Sequence, residues 1–163
     1  MVGPETSRRA ADGSGTPPAL MFIGGFVLAG FVEGAIPLPL VAGGVLRLVE
    51  LGAACVVLAV GASLYLSAIG SLRRAHTAVL PGRIASHLVT TGPYRFSRNP
   101  AYLGLAIVSC GVAAALNWGW PFLLLPAVLA GQTRFVIQAE ERHLREMFGD
   151  SYTVYCGRVR RWL

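Results

Sequence analysis

The sequence predicts an all-α, polytopic membrane protein of about four transmembrane helices with a cytosolic helical C-terminal extension. Three observations carry this. Of the 163 residues, 54% are hydrophobic and 13% are charged, against about 25% charged in an ordinary soluble domain. The apolar residues gather into four runs separated by Gly, Pro, Asn and Arg. All fourteen basic residues are Arg, and they cluster beside those runs. Anionic headgroups and the positive-inside rule therefore explain the net charge of +6 better than nucleic acid does. Cys55, Cys110 and Cys156 make no disulfide framework and read as small core residues. No CxxC or HExxH spacing offers a metal site, so no metal is expected.

Residues 1–18 are rich in Gly, Ser, Pro and charge, as in a mobile cytosolic tail. Ser7-Arg8-Arg9 is similar to a twin-arginine signal, but Ala10, Ala11 and Asp12 follow where apolar residues belong, so the next run reads as a retained span. Residues 19–72 read as two N-terminal transmembrane helices. The first runs from Ala19 to Gly34, ended by Glu33, Pro37 and Pro39, and the second from Val49 to Leu72. Gly52, Ala53, Gly61, Ala62, Ser63 and Gly70 in the second permit close helix contact.

The remainder, residues 73–163, forms a third unit. A polar segment from Arg73 to Asn99 precedes a third span, Pro100 to Leu116, and Asn117-Trp118-Gly119-Trp120 makes a turn with interfacial tryptophans. A fourth span starts at Pro121 and continues as an amphipathic helix to Phe148, where Gly149 is expected to stop it. Aromatic and Arg side chains beyond Asp150 suit a membrane surface. Arg73, Arg74, Arg83, Arg95 and Arg98 fall on the same side as Arg8, Arg9 and the C-terminal arginines, with Arg47 opposite; this places both termini in the cytosol, as for a bacterial inner-membrane protein.

Two places attract chemistry. Asn99-Pro100 reads as a helix start, with Asn as N-cap and Pro at the first position. Its free N–H groups and dipole, with Arg95 and Arg98 beside it, suit a carboxylate or phosphate; a capped helix with cytosolic arginines explains the same residues. The second place is the run Arg134 to Leu144. Ile137, Glu140, Leu144 and Met147 share one helical stripe, which makes Glu140 the charged member of an apolar face. Arg134, Gln138, Glu141 and Arg145 share the polar stripe beside it, where Glu141 can simply pair with Arg145. An unpaired carboxylate on a buried face is costly, so Glu140 is the harder residue to explain structurally. His76, His87 and His143 read as surface or capping residues, and Glu33 as structural.

The run Thr91-Gly92-Pro93-Tyr94-Arg95, Ser97-Arg98-Asn99-Pro100 and Tyr102-Leu103-Gly104 resembles the signature of the isoprenylcysteine carboxyl methyltransferase and phospholipid methyltransferase group. After a helical hairpin, Glu140-Glu141, Leu144, Phe148-Gly149, Tyr152, Tyr155 and Arg158-Val159 resemble that group's C-terminal ending. Ala75-His76-Thr77 and Pro81 resemble its upstream element, so the likeness covers Arg73 to Leu163. Asn99 stands where many members have His, and Arg160 where the ending has Pro. The resemblance implies a membrane enzyme that uses S-adenosylmethionine without a Rossmann domain, and no GxGxxG follows a strand here. It implies cofactor contacts from Tyr94, Arg98, Asn99, Tyr102, Glu140 and Glu141.

The acceptor implied is a lipid or prenylated molecule entering from the bilayer. A carboxylate acceptor would need an Arg clamp, from Arg134 or Arg158; an amine acceptor would need a base, Glu140 or Glu141. A nicotinamide-dependent reductase of the sterol type has a related ending, but Leu103-Gly104-Leu105 lacks its Asp. A non-enzymatic membrane scaffold predicts no cofactor site at all.

Overall fold

The computed structural model describes residues 18–41, 43–76 and 86–163. The segment 1–17, with Arg8 and Arg9, lies outside the described residues, as do Thr77, Pro81 and Arg83. Among the described residues all regular structure is helical. The elements are α1 (Pro18–Ala35), α2 (Val45–Arg74), a 3-10 turn (Gly92–Arg95), α3 (Pro100–Leu116), α4 (Trp120–Gln132), a π-helical turn (Thr133–Ile137) and α5 (Gln138–Arg158).

Two stretches are long and apolar enough to cross a membrane: α2, and the continuous rod Trp120–Arg158. Only 11% of the most apolar window of each is buried, which is unlike the core helix of a soluble protein. Side chains such as Phe31, Val45, Val56, Leu66, Leu123 and Phe135 are bare, as lipid-facing residues are. At 17 or 18 residues α1 and α3 are shorter, about 26 Å by helical rise against a hydrocarbon core of ~30 Å. Two candidate spans are therefore shown where hydropathy predicts four.

Helices α2 and α3 pack antiparallel. Ala54, Gly61, Ala68 and Ser71 form the buried stripe of α2. A Cβ on Gly61 would lie 2.7 Å from the Val108 nitrogen, and one on Gly104 would lie 2.8 Å from the Tyr65 nitrogen. Both obstacles are backbone, so only separation of the helices would make room. Among the small residues expected to mediate contact, Gly61 does so; Gly52, Ala53, Ala62 and Ser63 are exposed, because α3 covers one face of α2 only. At the end of this pair near Arg47, its guanidinium donates to the carbonyls of Ala114 and Ala115 at 3.0 and 2.6 Å and pairs with Glu50. The last carbonyls of α3 are thereby satisfied.

The α3–α4 turn is fixed by the loop after α1. Asn117 is left-handed, with φ 59°. Its Oδ1 accepts the N–H groups of Leu40 and Val41 at 2.8 and 3.0 Å. Glu33 is buried and structural: it accepts from the Leu38 N–H at 2.6 Å and faces the Trp120 N–H at 3.4 Å. The two tryptophans do more than anchor an interface. Trp118 packs on Phe26 with ring centroids 5.8 Å apart, and Trp120 Nε1 donates to the Ile36 carbonyl at 2.7 Å.

Gly149, expected as a helix stop, instead makes a kink at φ 50° and ψ −122°, after which α5 resumes to Arg158. The resumed turns bury Tyr152 and Tyr155 against Leu88, Leu144 and Phe148; this packing outweighs the break.

Gly104→Val should lower stability by about 2 kcal/mol or more, the scale of overpacking at a closed contact. Gly52→Val, on the bare face, should stay within about 0.5 kcal/mol. Thermal unfolding of the two variants in one detergent measures the difference.

Candidate functional site

The residues singled out in the two motifs meet where the start of α3 faces the start of α5. Asn99 occupies the N-cap position and Pro100 the first turn, as the sequence implies, but the Asn99 side chain does not cap the helix. Its Nδ2 donates to the Arg161 carbonyl at 3.1 Å, and its own N–H donates to Ser97 Oγ at 3.1 Å. The Ser97 hydroxyl in turn donates to the Arg161 carbonyl at 3.2 Å, and the Arg98 N–H donates to the Arg160 carbonyl at 3.0 Å. The chain end thus lies alongside residues 97–99 and engages the Asn99 side chain.

Glu141 ties this arrangement together. Arg161 grips it with two bonds, Nε at 2.9 Å and Nη2 at 2.8 Å. Arg98 lies 3.2 Å away, and the Arg145 partner expected from helical spacing 3.8 Å away. Burial alone would raise this carboxyl; the Arg161 hydrogen bonds and the charges of Arg98, Arg161 and Arg145 outweigh it and hold the group below the ordinary range. Glu141 was expected on the polar stripe, yet it is buried. The reason is non-local: Arg161, twenty residues on, folds back over it.

Glu140 sits differently. Tyr102 Oη donates to its carboxylate and lies 3.0 Å from both oxygens. Among the described residues no cation is paired with it. The apolar part of the rod ends at Ile137, so Glu140 lies beyond it. Burial pushes the Glu140 carboxyl up to about 7; the Tyr102 hydrogen bond opposes this, and the charge of Glu141 adds to it. Tyr94 stands near the same carboxylate, and burial, Tyr155 and Glu140 all raise its phenol. The Tyr94 carbonyl accepts from Tyr155 Oη at 2.6 Å, which anchors the 3-10 turn to α5. Tyr102 is itself buried with Phe22, Ala106 and Ile137, and Trp162 packs on that cluster.

Arg98 donates through Nη1 to Cys156 Sγ at 2.7 Å, while its Nε is buried and without a partner. A buried guanidinium N–H beside a helix start fits a carboxylate ligand. Arg134 and Arg158 are exposed and do not join the cluster. The structure therefore brings together Tyr94, Arg98, Asn99, Tyr102, Glu140 and Glu141, and leaves Arg134 and Arg158 outside.

The family model described as phospholipid methyltransferase matches residues 49–151, more than half of the chain. The chain belongs to the phospholipid methyltransferase family. No curated protein and no solved structure matches it. The family match supports a methyltransferase function for a membrane protein, and it spans α2, α3, α4 and most of α5. Sequence reasoning named none of Ser97, Gln132, Cys156 and Arg161 as a site residue. For Arg161 a signal existed in the Arg-rich ending; for Gln132, in a lone amide at the end of an apolar run.

Glu141→Gln should cost about 2–4 kcal/mol, because Arg98 and Arg161 then lose their counter-charge. Glu146→Gln, on the exposed face of the same helix, should change stability by less than about 0.5 kcal/mol. Thermal melting in detergent compares them.

Proposed function

We propose that this phospholipid methyltransferase family member transfers a methyl group from S-adenosylmethionine to the amine headgroup of a membrane lipid. The observation that carries the reading is the Tyr102–Glu140 pair, an acidic site with no cation paired to its carboxylate among the described residues. The cofactor would be held by Arg98, Asn99 and the first turn of α3, with Tyr94 and Tyr102 offering aromatic faces to a sulfonium. When bound, it supplies an activated methyl group.

The chain's own residues have three tasks. They align the acceptor, exclude water, and take a proton. An ammonium has no lone pair to attack with until it loses a proton, and Glu140 accepts it. Tyr102 holds the Glu140 carboxylate in place. Glu141 contributes by fixing Arg98 and Arg161, so its role is positioning. A carboxylate acceptor of the isoprenylcysteine type is less well served. It needs a further cation, yet Arg161 is engaged by Glu141, the open Nε of Arg98 is assigned to the cofactor, and Arg134 and Arg158 are exposed elsewhere. We place both termini in the cytosol of a bacterial inner membrane, with α1 and α3 crossing beside the two longer spans. Cofactor then arrives from the cytosol and lipid from the bilayer.

The test is transfer of labelled methyl groups into phosphatidylethanolamine by the purified protein in proteoliposomes. Glu140 acts as a base only when ionised, so activity should rise with pH through about 7 and then level. Glu140→Gln should remove that limb and lower the rate by roughly 100-fold or more, while Arg134→Gln and Arg158→Gln should leave it within a few-fold. A wild-type protein that binds S-adenosylhomocysteine but labels no lipid amine would refute the acceptor assigned here.

A further inference from the structure

Gln132 ends α4 one residue before the π-helical turn, and it is fully buried. Neither its Oε1 nor its Nε2 has a hydrogen-bond partner. Leaving an amide unpaired in a buried, apolar setting is costly. Leu would fill the position without that cost. The amide lies against the Tyr102 phenol at the edge of a weak contact, outside hydrogen-bonding geometry, and the phenol's own hydrogen serves Glu140. Immediately after it the helix widens from Thr133 to Ile137, and Thr133 Oγ1 donates back to the Leu129 carbonyl at 2.7 Å. Such π turns within otherwise regular helices are frequent at functional sites. The buried amide and the Glu140 carboxylate thus both lie against one phenol, that of Tyr102.

We infer that Gln132 positions the acceptor nitrogen by accepting one of its N–H groups, and thereby favours primary and secondary amines over tertiary ones. The inference rests on the amine-lipid reading above. A deprotonated primary amine has two N–H groups. Its lone pair forms the N–C bond as the C–S bond of the donor breaks and that electron pair stays on sulfur. Once Glu140 has released to water the proton it took from the substrate ammonium, it accepts one from the ammonium formed, which leaves a secondary amine with one N–H for Gln132 Oε1. After a second transfer and proton loss the nitrogen has no N–H. Gln132 is then unpaired again, and the third transfer loses its positioning contact. Mono- and dimethylated lipid should therefore accumulate ahead of trimethylated lipid.

The test uses the full-length protein, with Gln132→Leu and Gln132→Met as variants. The first arm needs no cofactor. In mixed micelles, phosphatidylethanolamine should raise the wild-type Tm more than phosphatidylcholine, whose nitrogen carries no N–H, and both variants should lose that difference. Their Tm without lipid should equal or exceed the wild type's, because an unpaired buried amide has been removed. In the second arm the variants should show about a tenfold higher KM for phosphatidylethanolamine, the scale of one lost hydrogen bond. Affinity for S-adenosylhomocysteine should stay within about twofold, and the preference for early methylation products should disappear. Variants that keep both the lipid-dependent shift and the product ratio would overturn the inference. So would variants that lose Tm and S-adenosylhomocysteine binding together, since Gln132 would then be a structural prop. A wild type that responds to phosphatidylethanolamine in the first arm but transfers no methyl group would count against the proposed reaction and not against the role of Gln132.

Discussion

The buried carboxylate of Glu141 is the constraint on which the site depends. Three arginines converge on it from different parts of the chain: Arg98 before α3, Arg145 on its own helix, and Arg161 from the chain end. With the carbonyls of Arg160 and Arg161, this cluster joins the start of α3 to α5 and to the C-terminus. Isolated charges in such a place would be costly, whereas together they offset one another's desolvation. The neighbouring Glu140 has no such support. One residue apart on one helix, the two carboxylates are driven in opposite directions, Glu141 below the ordinary range and Glu140 above it. Separation of this kind is how one site holds a structural anion and a proton acceptor side by side.

The rest of the fold serves to bring these groups together. The contact between Gly61 and Gly104 sets how closely α2 approaches α3, and so where Tyr102 stands, two residues before Gly104. At the opposite end, Glu33, Arg47 and Asn117 satisfy helix ends and loop amides that would otherwise be exposed to apolar surroundings. Buried polar atoms without a partner occur away from these groups too, at Glu50 Oε1 near the opposite end and at His143 Nε2 on α5. Gln132 and the Arg98 Nε are the unpaired groups that lie beside the site.

Much of this was legible in the sequence. Four apolar runs gave the helices to within a few residues, since their length and their Gly, Pro and Asn boundaries are local properties. Asn99-Pro100 gave the start of α3, and Glu140 stood out because a carboxylate on an apolar stripe needs a reason. The resemblance of two separated motifs gave the family, which the match over residues 49–151 shows. What local patterns missed is non-local. Helical spacing put Glu141 with Arg145, but the stronger partner is Arg161, which only the returning chain end brings near. Gly149 has the composition of a stop, yet the packing of Tyr152 and Tyr155 restarts the helix. The π turn has no period of its own to detect, so Gln132 read as part of a span.

The central claim is that both motifs form one ligand site at the meeting of α3 and α5. Hydrogen–deuterium exchange of the purified protein, with and without S-adenosylhomocysteine, tests it most directly. Ligand addition should slow exchange in two separated segments together, Ser97–Leu103 and Gln138–Arg142, and leave α1 unchanged. Protection confined to one of those segments, or centred on the loop after α1, would contradict it.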